Sequence, residues 1–148
     1  MKTFFALSAL AALCRSAFSL EEGPYTIGSA SLEGSMVLGG QIDEPLRFSP
    51  RNDDPGHIWN FTLIDNNNQR DFLIRNDFGD FINCGDEAGS ACLAGGEEEV
   101  YTAEVVGDNS YQLVAKKSGY FLRAEGEYLQ LAAWDQTPNE EFVLTSAY

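Results

Sequence analysis

The stretch GHIWNFTL, residues 56–63, sets a tryptophan directly before an asparagine that fits the Asn-x-Thr acceptor pattern for N-glycosylation. Successive side chains of a β-strand point to opposite faces. Trp59, Phe61 and Leu63 would then face a core, while Asn60 would face water. The alternation therefore predicts a strand that opens with a buried aromatic residue and carries a glycosylation site on its outer face.

The aromatic residue that opens this strand recurs twice along the chain. Trp59 is followed by Tyr101 and Phe142, at intervals of 42 and 41 residues. The next inward positions are predicted to be Phe61 and Leu63, Ala103 and Val105, and Leu144 and Ser146. Two further series begin at Tyr25, Phe72 and Tyr111 and at Met36, Phe81 and Phe121. The chain therefore contains three related units.

Short alternating runs separated by turn-forming residues fill each unit, which is typical of an all-β fold. No stretch keeps a helical period long enough to predict a helix. The units span residues 22–66, 67–109 and 110–148, with four short strands expected in each. This arrangement predicts a β-trefoil, in which three four-stranded repeats surround a pseudo-threefold axis. A β-sandwich is the alternative, because alternation can arise by chance.

The first 19 residues read MKTFFALSALAALCRSAFS: a lysine, an apolar run and then small residues. This order is typical of a secretory signal peptide, and cleavage is expected after Ser19. The apolar run is too short to span a bilayer, and no second run of membrane length follows it. The sequence therefore predicts a secreted, extracellular protein without membrane insertion, in which residues 20–148 form one domain.

The expected product of cleavage is strongly acidic. The signal would remove Lys2 and Arg15 but no acid, leaving seven basic against 23 acidic residues and a net charge of −16. Such a surface repels nucleic acid and anionic membranes, which argues against both as partners. Acidic runs such as residues 97–99 are expected to form a solvated face.

Few residues offer catalytic or metal-binding chemistry. Cys14 would be removed with the signal peptide. The remaining Cys84 and Cys92 are expected to form a disulfide across the loop CGDEAGSAC. His57 is the only histidine, so any Ser-His-Asp triad would need it, and a structural role is expected instead. Residues 65–71 suggest a calcium loop, but Arg70 stands where the turn needs glycine. The sequence therefore predicts a protein that is not an enzyme and has neither cofactor nor metal.

The segment YFLRAEGEYLQLAAWDQTPNEEFVLTS, residues 120–146, resembles a unit of the ricin-B-type trefoil family. That unit has an apolar pair, a turn, an alternating strand ending near a tryptophan, and a closing Gln-x-Trp. The closing elements here are His57-Ile58-Trp59, Glu99-Val100-Tyr101 and Asn139-Glu140-Glu141-Phe142. SPRNDDPGHIWNF, residues 49–61, resembles the same loop and closing strand in secreted fungal trefoils.

The resemblance implies a sugar site built from a short acid or amide, an aromatic platform and a later asparagine. The acid position falls on Leu38, Asn83 and Arg123, and the asparagine position on Gly56, Glu98 and Asn139. The third unit is closest to the pattern, with Trp134 as the platform, Asn139 as the amide and Glu125 as a replacement acid. The implied function is a carbohydrate-binding module, and the net charge favours neutral glycans. The alternative role of Trp134 is to cap the barrel.

The resemblance also allows a second function, that of a secreted trefoil protease inhibitor. Such proteins present a rigid loop to a protease, so little ordering entropy is lost on docking. Two loops qualify by length and polarity: one surrounds Arg51, and the other contains Asn67, Asn68 and Arg70. The expected partners are therefore glycans or a secreted protease.

Overall fold

The computed structural model describes residues 19–50, 54–64 and 69–147. Most of the predicted signal peptide therefore lies outside the described residues, as do Arg51, Asn67 and Asn68 of the loops assigned to an inhibitor. In the part that is described, no helix is long and apolar enough to cross a membrane.

The described residues form short strands and two single-turn 3-10 helices. The strands are β1 Gly23–Ser29, β2 Leu32–Leu38, β3 Arg47–Pro50, β4 Trp59–Leu63, β5 Asp71–Asn76, β6 Phe81–Asn83, β7 Leu93–Gly95, β8 Val100–Gly107, β9 Ser110–Ala115, β10 Phe121–Glu125, β11 Tyr128–Ala132 and β12 Phe142–Ser146. The 3-10 helices are Pro55–His57 and Pro138–Glu140. Each helix begins with a proline, whose fixed φ suits a first turn, and each immediately precedes the last strand of a unit.

Six strands close into an antiparallel barrel in the order β1, β4, β5, β8, β9, β12 and back to β1. The other six form three hairpins, β2–β3, β6–β7 and β10–β11, one from each unit. Isolated bridges between Pro45 and Leu93 and between Ala91 and Gln130 join neighbouring hairpins. This arrangement is the predicted β-trefoil, with four strands in each unit.

The three aromatic residues that open β4, β8 and β12 occupy equivalent places and are fully buried. Trp59 pairs with Tyr25 at the beginning of its own unit and with Asn76 in the next unit. The corresponding pairs are Tyr101 with Phe72 and Ala115, and Phe142 with Tyr111 and Ser29. The predicted series around one core is therefore confirmed.

Polar atoms on the aromatic series follow the same symmetry. Trp59 donates its indole N–H to the carbonyl oxygen of Val37, 3.1 Å away. Tyr101 donates its hydroxyl to the carbonyl oxygen of Ile82, 2.7 Å away, and Ile82 holds the place in β6 that Val37 holds in β2. A buried N–H or O–H needs a partner, so these bonds explain how a Trp and a Tyr can replace each other here.

Two predicted inward positions are wrong. Val105 is 43% exposed and Ser146 is exposed, whereas Phe61, Ala103 and Leu144 are buried as expected. Strand β8 changes register between Val105 and Gly107, so its end leaves the regular barrel pairing. The inward series therefore ends one position earlier in the second and third units.

The predicted disulfide is confirmed. Cys84 follows β6 and Cys92 precedes β7, and the bond between them closes the seven-residue loop of that hairpin. Both cysteines are buried against the core. The disulfide is therefore a local clip that stabilises the second hairpin, whereas the packing of buried side chains holds the three units together.

Candidate functional site

Trp134 stands on the loop between β11 and β12, and 54% of its surface is exposed. The backbone after it is fixed by Asp135, whose Oδ1 accepts hydrogen bonds from the N–H and the hydroxyl of Thr137 at 3.0 and 2.6 Å. The N–H of Asp135 donates to Oε1 of Glu140 at 3.0 Å. A large aromatic side chain is therefore held in solvent by a structured loop, and it does not cap the core.

Arg123 ties this loop to the neighbouring hairpin. Its Nη1 lies 2.9 Å from Oδ2 of Asp135, and its Nε lies 3.1 Å from Oε2 of Glu125. The hydrogen bonds from Thr137, and then the charge of Arg123, hold the pKa of the Asp135 carboxyl below its ordinary value. The residue at the family's acid position is therefore a cation flanked by two carboxylates.

Glu140 replaces the glutamine of the family's closing motif and is fully buried. Its Oε1 accepts the N–H of Asp135, whereas its buried Oε2 has no hydrogen-bond partner. Burial raises the pKa of the Glu140 carboxyl, because the charged form loses its hydration. The support beneath the Trp134 loop is therefore a buried acid.

The predicted third-unit residues lie around one loop. Arg123 brings Glu125 to the segment that carries Trp134, so the replacement acid is shared with a guanidinium. Asn139 lies in the 3-10 helix before β12 and is half-buried. The arrangement offers an aromatic face, a carboxylate and an amide, and their use as a sugar site stays a prediction.

The corresponding positions in the other two units are filled by the chain itself. In the first unit, a Cβ on Gly56 would lie only 2.9 Å from Cδ1 of Leu38, so these two residues already touch. In the second unit, Asn83 donates to the carbonyl oxygen of Glu97 at 2.7 Å and accepts its N–H at 3.2 Å. In every unit the residue at the acid position therefore joins the loop before the closing strand to the hairpin. In the third unit that loop also carries the exposed Trp134.

The acidic run in the second unit is only partly a solvated face. Glu97 and Glu98 are exposed, but Glu99 is half-buried. Its Oε2 accepts the N–H of Cys84 at 2.8 Å and lies 2.7 Å from the hydroxyl oxygen of Tyr101, as a second acceptor within reach of that O–H. The run borders a pocket of about 360 Å³, which Lys117 and its ion-pair partner Asp86 also line. The expectation of a wholly solvated run is therefore wrong for Glu99.

Two further predicted residues have structural positions, one in the core and one at the surface. His57 is buried, and burial lowers its pKa against the opposing charge of Asp54, so the imidazole stays neutral. Arg70 lies 3.3 Å from a carboxylate oxygen of Glu104, which holds it against β8. Among the residues that the structure describes, no group of three His, Cys, Asp or Glu side chains is placed to hold a metal.

No protein-family model matches the sequence, and a search of curated proteins finds no relative. Solved structures do match. The Rhizoctonia solani agglutinin superposes with a TM-score of 0.76 at 12% identity, over 87% of this chain and 98% of that chain. The chain has the β-trefoil fold of the ricin-B-type lectins. SeviL bound to an asialo-GM1 saccharide gives a TM-score of 0.71 at 20% identity, over 86% of this chain and 100% of that chain.

The predicted symmetry has a direct counterpart as well. The designed threefold-symmetric protein ThreeFoil matches with a TM-score of 0.75 at 13% identity, over 84% of this chain and 99% of that chain. The fold also occurs inside an endo-β-galactosidase from Clostridium perfringens, of which this chain covers 32%. At identities this low, the superpositions show a shared fold and nothing further. The resemblance to the family is therefore confirmed for the fold.

Proposed function

We propose that the protein is a secreted lectin-like module that binds neutral glycans through its third unit. The observation that carries the proposal is Trp134, an exposed tryptophan on a loop fixed by Asp135, Thr137 and Glu140. A ring face stacks on the C–H groups of a sugar, and a fixed loop loses little entropy on binding. Such a platform is useful only when its face is left open to solvent.

The polar groups on the Trp134 loop and on the hairpin tied to it suit hydroxyl-rich ligands. Glu125 is exposed and can accept hydrogen bonds from hydroxyls, and the Asn139 amide can both donate and accept. Arg123 can add donors, since a guanidinium has five N–H groups and two carboxylates already neutralise its charge locally. The set therefore combines donors and acceptors without a strong net local charge.

Charge supports a preference for neutral glycans over sialylated or sulfated ones. The full chain has a net charge of −14, and removal of the signal would make it −16. Such a surface repels anionic ligands over about a Debye length, roughly 8 Å at physiological salt. SeviL is bound to an asialo-GM1 saccharide and the Polyporus squamosus lectin to a Neu5Ac-containing epitope, so the preference for neutral glycans rests on the charge of this chain.

The affinity of a single site is expected to be modest. An aromatic contact contributes about 0.5–1.5 kcal/mol beyond the burial of area. Clustered glycans or several copies of the protein would therefore be needed for tight attachment. Multivalent targets, such as glycan-coated surfaces, are therefore the expected natural ligands.

The test is a glycan-array screen followed by calorimetric titration of the best neutral oligosaccharide. Trp134→Ala should abolish binding, whereas Phe78→Ala, which removes an equally exposed aromatic from the second unit, should leave it unchanged. Undiminished binding by Trp134→Ala would refute the site. A protein that binds no glycan but inhibits a protease, with inhibition lost in Arg51→Ala or Asn67→Ala/Asn68→Ala, would instead be an inhibitor.

A further inference from the structure

The turn between β5 and β6 presents Phe78 to solvent in a fixed position. Phe78 is 59% exposed. The Asn76 side chain accepts the backbone N–H groups of Phe78 and Asp80 at 3.0 and 2.9 Å, and its own backbone N–H donates to the carbonyl oxygen of Asp80 at 2.9 Å. A flexible turn could fold an apolar ring back onto the barrel, but these bonds hold this turn in one conformation.

Arg75 braces the same turn from the barrel side. Its Nε donates to the carbonyl oxygen of Gly79 at 3.1 Å, and its guanidinium lies 5.3 Å from the centre of the Phe81 ring. Gly79 has a φ of +97°, a conformation that other residues rarely adopt. Arg75 therefore covers Phe81, while the neighbouring Phe78 keeps an open face.

Asn60 lies beside this turn on the outer face of β4, as its alternation with Trp59 predicts. It pairs across the strands with Arg75, and its Nδ2 donates to Oδ1 of Asp77 at 2.9 Å. Asp77 is the residue before Phe78. The acceptor amide of the Asn-Phe-Thr pattern is therefore hydrogen-bonded to the turn that presents an open aromatic face, and Thr62 of the same pattern is exposed.

We propose that Asn60 carries an N-linked glycan whose first N-acetylglucosamine packs against Phe78. In this modification the amide nitrogen forms a bond to C1 of a lipid-diphosphate-linked N-acetylglucosamine. The C1–O bond breaks, the diphosphate leaves with the electron pair, and the nitrogen loses one proton. Nδ2 then keeps a single N–H, which continues to donate to Asp77 while the sugar takes the other position on the nitrogen.

This geometry gives the sugar a defined direction. A glycan on a freely rotating asparagine would sample many orientations, and it would make few lasting contacts with the protein. The bond to Asp77 restricts the amide, so the first sugar is held beside the same turn as Phe78. An aromatic face against sugar C–H groups is a favourable contact that also removes an exposed apolar surface from water. The site joins β4 of the first unit to the β5–β6 turn of the second unit, and it is independent of the lectin-like function of Trp134.

The test uses the full chain produced in a eukaryotic secretory host, with glycan occupancy measured by mass spectrometry. Thr62→Val is the unglycosylated reference, because it removes the acceptor pattern but keeps Asn60, its bond to Asp77 and a β-branched side chain in the strand. The glycosylated wild type should melt about 2–6 °C above Thr62→Val. In a Phe78→Ala background the same comparison should give no difference.

Two controls identify the cause. In an Ile42→Ala background, which truncates an equally exposed apolar side chain in the first unit, the glycan should keep its full effect on melting. Trimming the glycan to one N-acetylglucosamine should also preserve the effect, since only the first sugar meets Phe78. In a Phe78→Trp protein, the emission maximum of the added tryptophan should lie at a shorter wavelength when Asn60 is glycosylated. The reference is the same protein with Thr62→Val, which carries no glycan.

Two results would overturn the proposal. One is an exported protein in which Asn60 carries no glycan. The other is a glycan that changes melting equally in the wild-type and Phe78→Ala backgrounds, because Phe78 would then make no contact with the sugar.

Discussion

Replacing Glu140 by glutamine should stabilise the protein at neutral pH. Glu140 is fully buried, and one of its carboxylate oxygens has no donor. Its burial raises the pKa, and a hydrogen bond that the protonated form can make to Asp135 raises it further. The folded state therefore holds a proton on Glu140 that the unfolded state has already released, in the range just above pH 4.5.

The sign of the pH dependence follows from this difference in bound protons. Where the folded state binds more protons than the unfolded state, stability falls as pH rises. The decline begins near the ordinary pKa of 4.5 and is complete above the raised pKa of the folded state. At neutral pH the protein therefore carries the full cost of this buried group.

The expected gain in the free energy of unfolding equals the cost of one unsatisfied buried polar group, about 1–3 kcal/mol. A glutamine side chain at this position would imitate the protonated acid: its carbonyl oxygen can accept the N–H of Asp135, and its amide can donate to the Asp135 carboxylate. Glu140→Gln should therefore add about 1–3 kcal/mol to the free energy of unfolding at pH 7 and almost nothing at pH 4.

Urea unfolding measured from pH 4 to pH 8 is the assay, followed by tyrosine and tryptophan fluorescence. Glu127→Gln is the matched control, because it removes the same charge from an exposed position and reports any effect of net charge alone. A Glu140→Gln protein that is less stable than the wild type at pH 7, or whose advantage is the same at every pH, would refute the reasoning.

Three other perturbations test the core, the clip and the histidine. Trp59→Ala should cost about 3–5 kcal/mol in urea unfolding, since it empties a fully buried site and its indole hydrogen bond is lost with it; a variant that unfolds like the wild type would contradict the packing. Removing the disulfide with Cys84→Ala/Cys92→Ala should cost about 2–3 kcal/mol for a sequence separation of eight; an unchanged unfolding midpoint would show that the bond is absent or without effect. Because burial lowers the pKa of His57, the unfolded state binds its proton first as pH falls, so stability should decline below about pH 6.5 and His57→Gln should reduce that decline.

The fold could be predicted because its determinants are periodic in the sequence. Trp59, Tyr101 and Phe142 recur at nearly constant intervals, and each begins an alternating strand. A barrel with threefold pseudosymmetry must place such residues at equivalent depths, so one register predicts the other two. The predictions failed at Val105, where β8 changes register, and at Ser146, which is exposed at the end of β12.

The loop networks were harder to predict, although one signal was present. His57, Glu99 and Glu140 each stand two residues before a buried aromatic residue, which places them on the same face of an extended chain. All three are wholly or partly buried. The charge of Glu99 and Glu140 predicts exposure to solvent, whereas their place two residues before a buried aromatic residue predicts burial. The second prediction is the correct one, because it follows from the geometry of the closing strand.

The bond from Arg123 to Asp135 had no such signal. The two residues are 12 positions apart on different elements, and an ion pair depends on how the loop turns after β11. The family resemblance assigned Arg123 to the acid position of a sugar site, and the sequence alone did not show which carboxylates the guanidinium would pair with. Tertiary contact, rather than local pattern, gives this residue its role.

The three units close their loops with different chemistry, and this difference has a consequence for function. The first unit uses a backbone hydrogen bond from Gly39 to Gly56 with Leu38 in contact beside it, and the second uses amide hydrogen bonds of Asn83. The third relies on ion pairs of Arg123, whose side chain is 28% exposed. Salt screens partly exposed charges but hardly affects a buried aromatic core. Glycan binding at Trp134 should therefore weaken at high salt while the melting temperature of the domain does not fall, because the same screening relieves the self-repulsion of its net negative charge.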